Sequence, residues 1–290
     1  MLRPGWGHYQ VYGTRPGAEG YQDSGDYRFI SGGIEALREL TNGDDPWCLF
    51  IGPNGPHDPF IIPEPYASMY DPNEIELPPS YRDRMADKPR IYQRMRQQYW
   101  DQLSEAEVRE SIAHYRGYCT MMDDMFGEVL EALDASGEAE NTIVVRMSDH
   151  GDYCGAHGLY CKGVPPFREA YHIPLVIRWP DGITQPGRET DALVNLMDFA
   201  PTFLELAGVT DVPENVSGRS LTPFFDTPEP ENWRDTHYTQ FNGVELYYTQ
   251  RVVQTHTVST STNCTIWSAI PMKLRTWQIS RNIRILRRIW

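Results

Sequence analysis

At 290 residues the chain can form one large α/β core or two domains. Its formal net charge of −14 argues against a general nucleic-acid binder, and no run of eighteen apolar residues is present to span a membrane. The opening MLRPGWGHYQVYG lacks the apolar core of a secretory signal, and the five cysteines (48, 119, 154, 161 and 264) form no CxxC pair, which favours a reduced environment.

Residues 1–33 are rich in Gly, Tyr and charge and read as a surface loop. Residues 34–40 have helical spacing, Asn42-Gly43-Asp44-Asp45-Pro46 ends that helix, and Trp47-Cys48-Leu49-Phe50-Ile51 reads as a buried strand. The loop after it holds His57 between prolines 56 and 59, which fix the backbone so that the ring can be aimed. Ser104 and Glu107 form a capping-box signature opening a long helix. Ile112, Tyr115, Cys119, Met122, Phe126, Val129, Leu130 and Leu133 give it one apolar face, and Gly137 stops it. Asp123 and Asp124 on this helix point about 100° apart, too far to chelate one ion, so a solvated or capping role is expected.

The central stretch is NTIVVRMSDHGDYCGAHGLYCK, residues 141–162. Thr142-Ile143-Val144-Val145 reads as a strand buried in a parallel sheet, and it breaks into Ser148-Asp149-His150-Gly151. Ligands of open α/β sheets bind beyond the carboxyl ends of strands. Asp149 offers a carboxylate oxygen and His150 a ring nitrogen to a metal, and Lys162 is a compact cation able to meet an anion. Taken alone, Asp-His-Gly reads first as a polar turn, with His157 and Lys162 as solvated loop residues and Cys154 and Cys161 as small filler. Residues 174–179 read as another strand, Pro180-Asp181-Gly182 as a turn, and Asp198 as the N-cap of a helix ending at Gly208. Asn215-Val216-Ser217 fits a glycosylation acceptor, a three-residue match with little weight.

From about Trp47 to Thr255 these segments resemble the sulfatase family of the alkaline-phosphatase-like hydrolases. The resemblance rests on PHDPF around His57, on SDHGDYCGAHGLYCKG, on IPLVIRWP, on MDFAPTFLELAGV and on Gly218-Arg219-Ser220-Leu221. It implies an α/β fold with a mostly parallel sheet flanked by helices, and prolines 63, 65, 72, 78 and 79 along the rim of a cleft. It also implies sulfuric ester hydrolysis, with Asp149 and His150 in the shell of a divalent cation, usually calcium. Lys162 would bind a sulfate oxygen, His57 would assist the leaving group, and His157, from the family's GeHG stretch, would touch substrate. The implied partner is a small-molecule or carbohydrate sulfate ester. The nearest alternatives are a phosphonate monoester or phosphodiester hydrolase, and a non-catalytic anion-binding remnant.

Three family motifs have no counterpart here: the C/S-x-P-S-R sequence that yields the formylglycine nucleophile, the early aspartate pair and GKxH. Residues 1–255 are therefore expected to be a partial catalytic domain lacking its first strands, with Met1 an internal start, little activity and poor solubility. Residues 256–290 carry six Lys or Arg and no Asp or Glu. In a shifted frame residues 262–277 can spell ELYDLERDPHEVENLA, which resembles the family's entry into its C-terminal subdomain. The tail is thus expected to be a frameshift product with no evolved fold.

Overall fold

The computed structural model describes residues 9–211, 213–242 and 249–255. The basic tail at 256–290 and Cys264 lie outside the described residues.

The organising element is a 32-residue helix, Glu105–Ser136. Both halves of its capping box form, with the Ser104 hydroxyl accepting from the Glu107 amide and the Glu107 carboxylate accepting from the Ser104 amide. Gly137 closes the other end with φ +77°. The buried stripe is turned slightly from the expected one. Val108, Tyr118, Met121 and Met125 lie inside, while Phe126, Val129 and Leu130 are only half-buried.

In chain order the strands are β1 (Tyr12–Thr14), β2 (Phe60–Ile62), β3 (Val144–Met147), β4 (Leu175–Arg178), β5 (Thr236–Asn242) and β6 (Thr249–Thr255). The helices are α1 (Gly25–Leu40), α2 (Arg90–Gln98), α3 (the long helix), α4 (Arg168–Tyr171) and α5 (Phe199–Leu206). β1 pairs parallel with β2 across α1, a βαβ arrangement, and α3 packs on β1, β2 and α1. Phe60 and Ile62 from β2 are fully buried with Ile30, Ile34, Val108, Ile112, Met121 and Tyr160. No helix among the described residues is long and apolar enough to cross a membrane.

Local expectations are corrected in five places. α1 begins at Gly25, inside the stretch read as loop, because Ser24 caps it and Ile30, Ile34 and Leu37 line one face. Residues 47–51 form no ladder beyond a single bridge at Trp47. Trp47 is buried and Ile51 packs on α1, but Phe50 is 82% exposed. β3 pairs antiparallel with β4, Val144 opposite Arg178 and Met147 opposite Leu175, and is half-buried rather than interior. Asp123 and Asp124 are tie points: Asp123 pairs with Arg146 of β3, and Asp124 accepts from the Tyr66 hydroxyl at 2.8 Å. Asp198 does not cap α5 with its side chain. It is wholly buried and accepts from the Asn195 and Arg219 amides and from Arg234, which fastens the Gly218-Arg219 segment to the start of α5.

Candidate anion and metal site

Two loops meet at the site. The first, residues 52–59, follows the Trp47–Ile51 stretch, and the second runs from the end of β3 to Lys162. The second is tied down by its own backbone: the Tyr153 amide donates to the Cys161 carbonyl at 3.0 Å and the Gly155 amide to the Leu159 carbonyl at 2.8 Å. Buried Tyr153, Leu159 and Tyr160 anchor it to the core.

Lys162 Nζ contacts His57 Nε2 directly. The ammonium can only donate, so Nε2 accepts, and the remaining His57 nitrogen, Nδ1, carries the proton toward the Asp58 carbonyl at 2.7 Å. The rings of His57 and His150 stand edge to face with centroids 6.0 Å apart. His150 Nδ1 lies 2.9 Å from the Gly151 carbonyl, an arrangement that leaves the Nε2 lone pair available to a cation. Asp149 Oδ2 is 3.7 Å from that Nε2, and the Asp149 side chain is 81% exposed. His57, Lys162, His150 and Asp149 therefore share one surface.

His157 lies elsewhere. Its backbone is left-handed at φ 52° and its side chain is buried, stacked on Phe167 at 3.8 Å with Nδ1 2.8 Å from Asp83 Oδ2. This is a ring held by the scaffold. Burial pushes the Asp83 carboxyl up, yet the Met85 amide and the His157 imidazole outweigh it and hold Asp83 below its ordinary value. A depressed carboxylate stabilises the fold above its unfolded value of about 4 and loses that contribution on acidification. Asp83→Asn is expected to melt earlier than the parent at pH 7, with the deficit shrinking below about pH 4. A deficit that stays constant in thermal melts across that range would exclude an ionic pair.

A neighbouring cluster had little signal in the sequence. Asp58, Asp152 and Cys161 bring two carboxylate oxygens and a sulfur within 4.8 Å of one another. Burial pushes Asp152 up to about 7 and the Cys161 thiol upward as well. Tyr9 donates to Asp58, and the Cys154 amide donates to Asp152 at 2.7 Å, so these acceptors are already engaged. Two oxygens and a protonated thiol are not the all-oxygen set calcium takes, and the cluster does not fit that ion. Asp149 and His150 do fit as part of a divalent-cation shell. Burial also pushes Cys119 up to about 12 and Cys154 upward, away from thiolate.

Residues 5–209 match the sulfatase family, and residues 155–266 match the family described as N-sulphoglucosamine sulphohydrolase, C-terminal. The multifunctional alkaline phosphatase superfamily protein PehA of Trinickia caryophylli is 30% identical over 232 residues, covering 74% of this chain and 44% of PehA. N-acetylglucosamine-6-O-sulfatase of Bacteroides thetaiotaomicron is 34% identical over 137 residues, 47% of this chain and 24% of that enzyme. Among solved structures, phosphonate monoester hydrolase SpPMH from Silicibacter pomeroyi superposes with a TM-score of 0.69 at 27% identity, covering 81% of this chain and 50% of that one. The fold is thus that of the alkaline-phosphatase-like hydrolases. Within that class the chain belongs to the sulfatase family, whose members generally use a divalent metal ion. It spans less than half the length of these curated relatives.

Proposed function

We propose that the protein is, by descent, a sulfuric ester hydrolase acting on a carbohydrate or small-molecule sulfate monoester, and that this chain carries the anion-gripping part of the site without a nucleophile. The observation that carries the reading is the contact of Lys162 with His57 beside the His150 ring. An ammonium that gives one proton to an imidazole nitrogen can turn the others on a sulfuryl oxygen, and a charge-assisted contact of this kind is strong away from bulk water. His57, held by its short loop, is the group that would pass to the leaving oxygen a proton that Nε2 takes up from Lys162. Asp149 and His150 would hold part of the shell of a divalent cation, calcium by family habit, which when bound neutralises charge on the sulfate. The similarity to an N-acetylglucosamine-6-O-sulfatase supports a sugar as the alcohol. None of the cysteines is followed by Pro-Ser-Arg, and burial keeps the thiols of Cys119, Cys154 and Cys161 protonated, so no described residue supplies the family nucleophile.

Calorimetry on the 290-residue chain with calcium chloride and sodium sulfate tests this. Lys162→Ala is expected to weaken sulfate binding about tenfold or more, and Asp149→Ala to remove the calcium heat. Unchanged sulfate affinity in Lys162→Ala would end the assignment. The likeness to SpPMH favours phosphonate as the second reading, and phenylphosphonate binding more tightly than sulfate would select it.

A further inference from the structure

Asp26 sits in the first turn of α1 and is only 6% exposed, yet neither oxygen serves its own helix. Oδ1 accepts from the backbone amides of Asn54 and Gly55, each at 2.8 Å, and Oδ2 accepts from the Tyr118 hydroxyl of α3 at 2.6 Å. The helix is capped independently, by the Ser24 hydroxyl accepting from the Tyr27 amide at 3.1 Å. The two loop amides belong to the turn that delivers His57, whose own amide donates to the Asn54 carbonyl at 3.2 Å. A carboxylate accepting three hydrogen bonds in a buried position is costly to move, so it fixes whatever its donors belong to.

We propose that Asp26 is the positioning residue of the anion site: it clamps the 54–57 turn between α1 and α3 and so sets where His57 Nε2 stands relative to Lys162. This rests on the reading of His57 and Lys162 as the anion-binding pair. Without the carboxylate, two loop amides lose their acceptor and the Tyr118 hydroxyl is freed, while the ring's covalent neighbours are untouched. The His57 side chain would then sample a wider arc past Lys162.

The test uses the full chain with Asp26→Ala, Asp26→Asn and, as a control on the same helix, Ser24→Ala. Two quantities are read: the pH titration of the His57 ring by NMR, its signal assigned with His57→Gln, and inorganic sulfate affinity by calorimetry. Asp26→Ala is expected to shift the His57 titration and weaken sulfate about tenfold. Asp26→Asn should fall between, since an amide oxygen still accepts from the loop. Ser24→Ala should lower the melting temperature and move neither readout. A wild-type His57 titration in Asp26→Ala overturns the proposal, as does an equal shift in Ser24→Ala. If Asp26→Ala does not fold, Asp26→Asn decides by the same criteria. If the parent chain itself binds no sulfate, the anion-site reading fails, and the His57 titration still decides the role of Asp26.

Discussion

Arg96→Met is expected to lower the unfolding free energy by about 3–5 kcal/mol. Arg96 is only 4% exposed. Its Nε donates to Asp101 at 2.8 Å, and Nη1 lies 2.8, 2.7 and 3.0 Å from the carbonyls of Tyr81, Asp83 and His157. One planar cation thus binds α2, the 81–83 turn and the loop that ends at Lys162. Asp101 keeps a second partner in Arg84, so most of the cost comes from three carbonyls stripped of their donor. Lysine offers a compact charge without the fork, and Arg96→Lys should recover less than half of the loss. Urea unfolding of the two variants measures both values. A parent-like midpoint for Arg96→Met would mean that the loop is held by something else.

Gly151→Ala comes next, at about 2–4 kcal/mol, with loss of divalent-cation binding. A Cβ at this position would stand 2.0 Å from the Glu169 carbonyl oxygen and 3.3 Å from the Ala170 Cα. These are backbone atoms and cannot swing aside. The Gly151 amide donates to the Ala170 carbonyl at 2.9 Å, so the loop after β3 is docked on α4 main chain to main chain. Forcing in a methyl separates the two, and His150, whose ring is held by the Gly151 carbonyl, moves with the loop. Melting curves and calcium calorimetry on the variant check the two effects together. A stable protein that still takes up calcium with parental affinity would show that the loop tolerates the shift.

What could be read from the sequence was local chemistry. Ser104, Glu107 and Gly137 mark the ends of α3 because capping is satisfied within three residues of each terminus. The Asp149-His150-Gly151 turn is legible because a β-branched run must end where its side chains stop being apolar, and resemblance to sulfatases pointed to His57 and Lys162. What stayed hidden was pairing. A four-residue run has the same alternation whether its neighbour is parallel or antiparallel, so the β3–β4 ladder had no signature. Gly32 and Gly33 obscured the first half of α1, although Gly33 only makes room for Ile51. The resemblance marks His157 as a substrate contact, and its hydrogen-bond partner Asp83 lies 74 residues away, where no local pattern shows it. Asp26 and Arg96 act largely on backbone amides and carbonyls, which are the same in every residue and leave no mark in a sequence. β5 pairs antiparallel with β6 beyond the part of the chain where the motifs lie.

The long helix has a further consequence for the geometry of the two loops. Tyr118 holds Asp26, and through it the His57 turn, while Ser111 contacts the hydroxyl of Tyr160, two residues before Lys162. These footholds lie seven positions apart, close to two helical turns and about 10 Å along the axis. α3 therefore works as a ruler whose graduations are single residues. Inserting one residue between Ser111 and Tyr118 would swing one foothold by about 100° and carry His57 and Lys162 out of phase, whereas adding a full heptad would nearly restore their bearing at a different spacing.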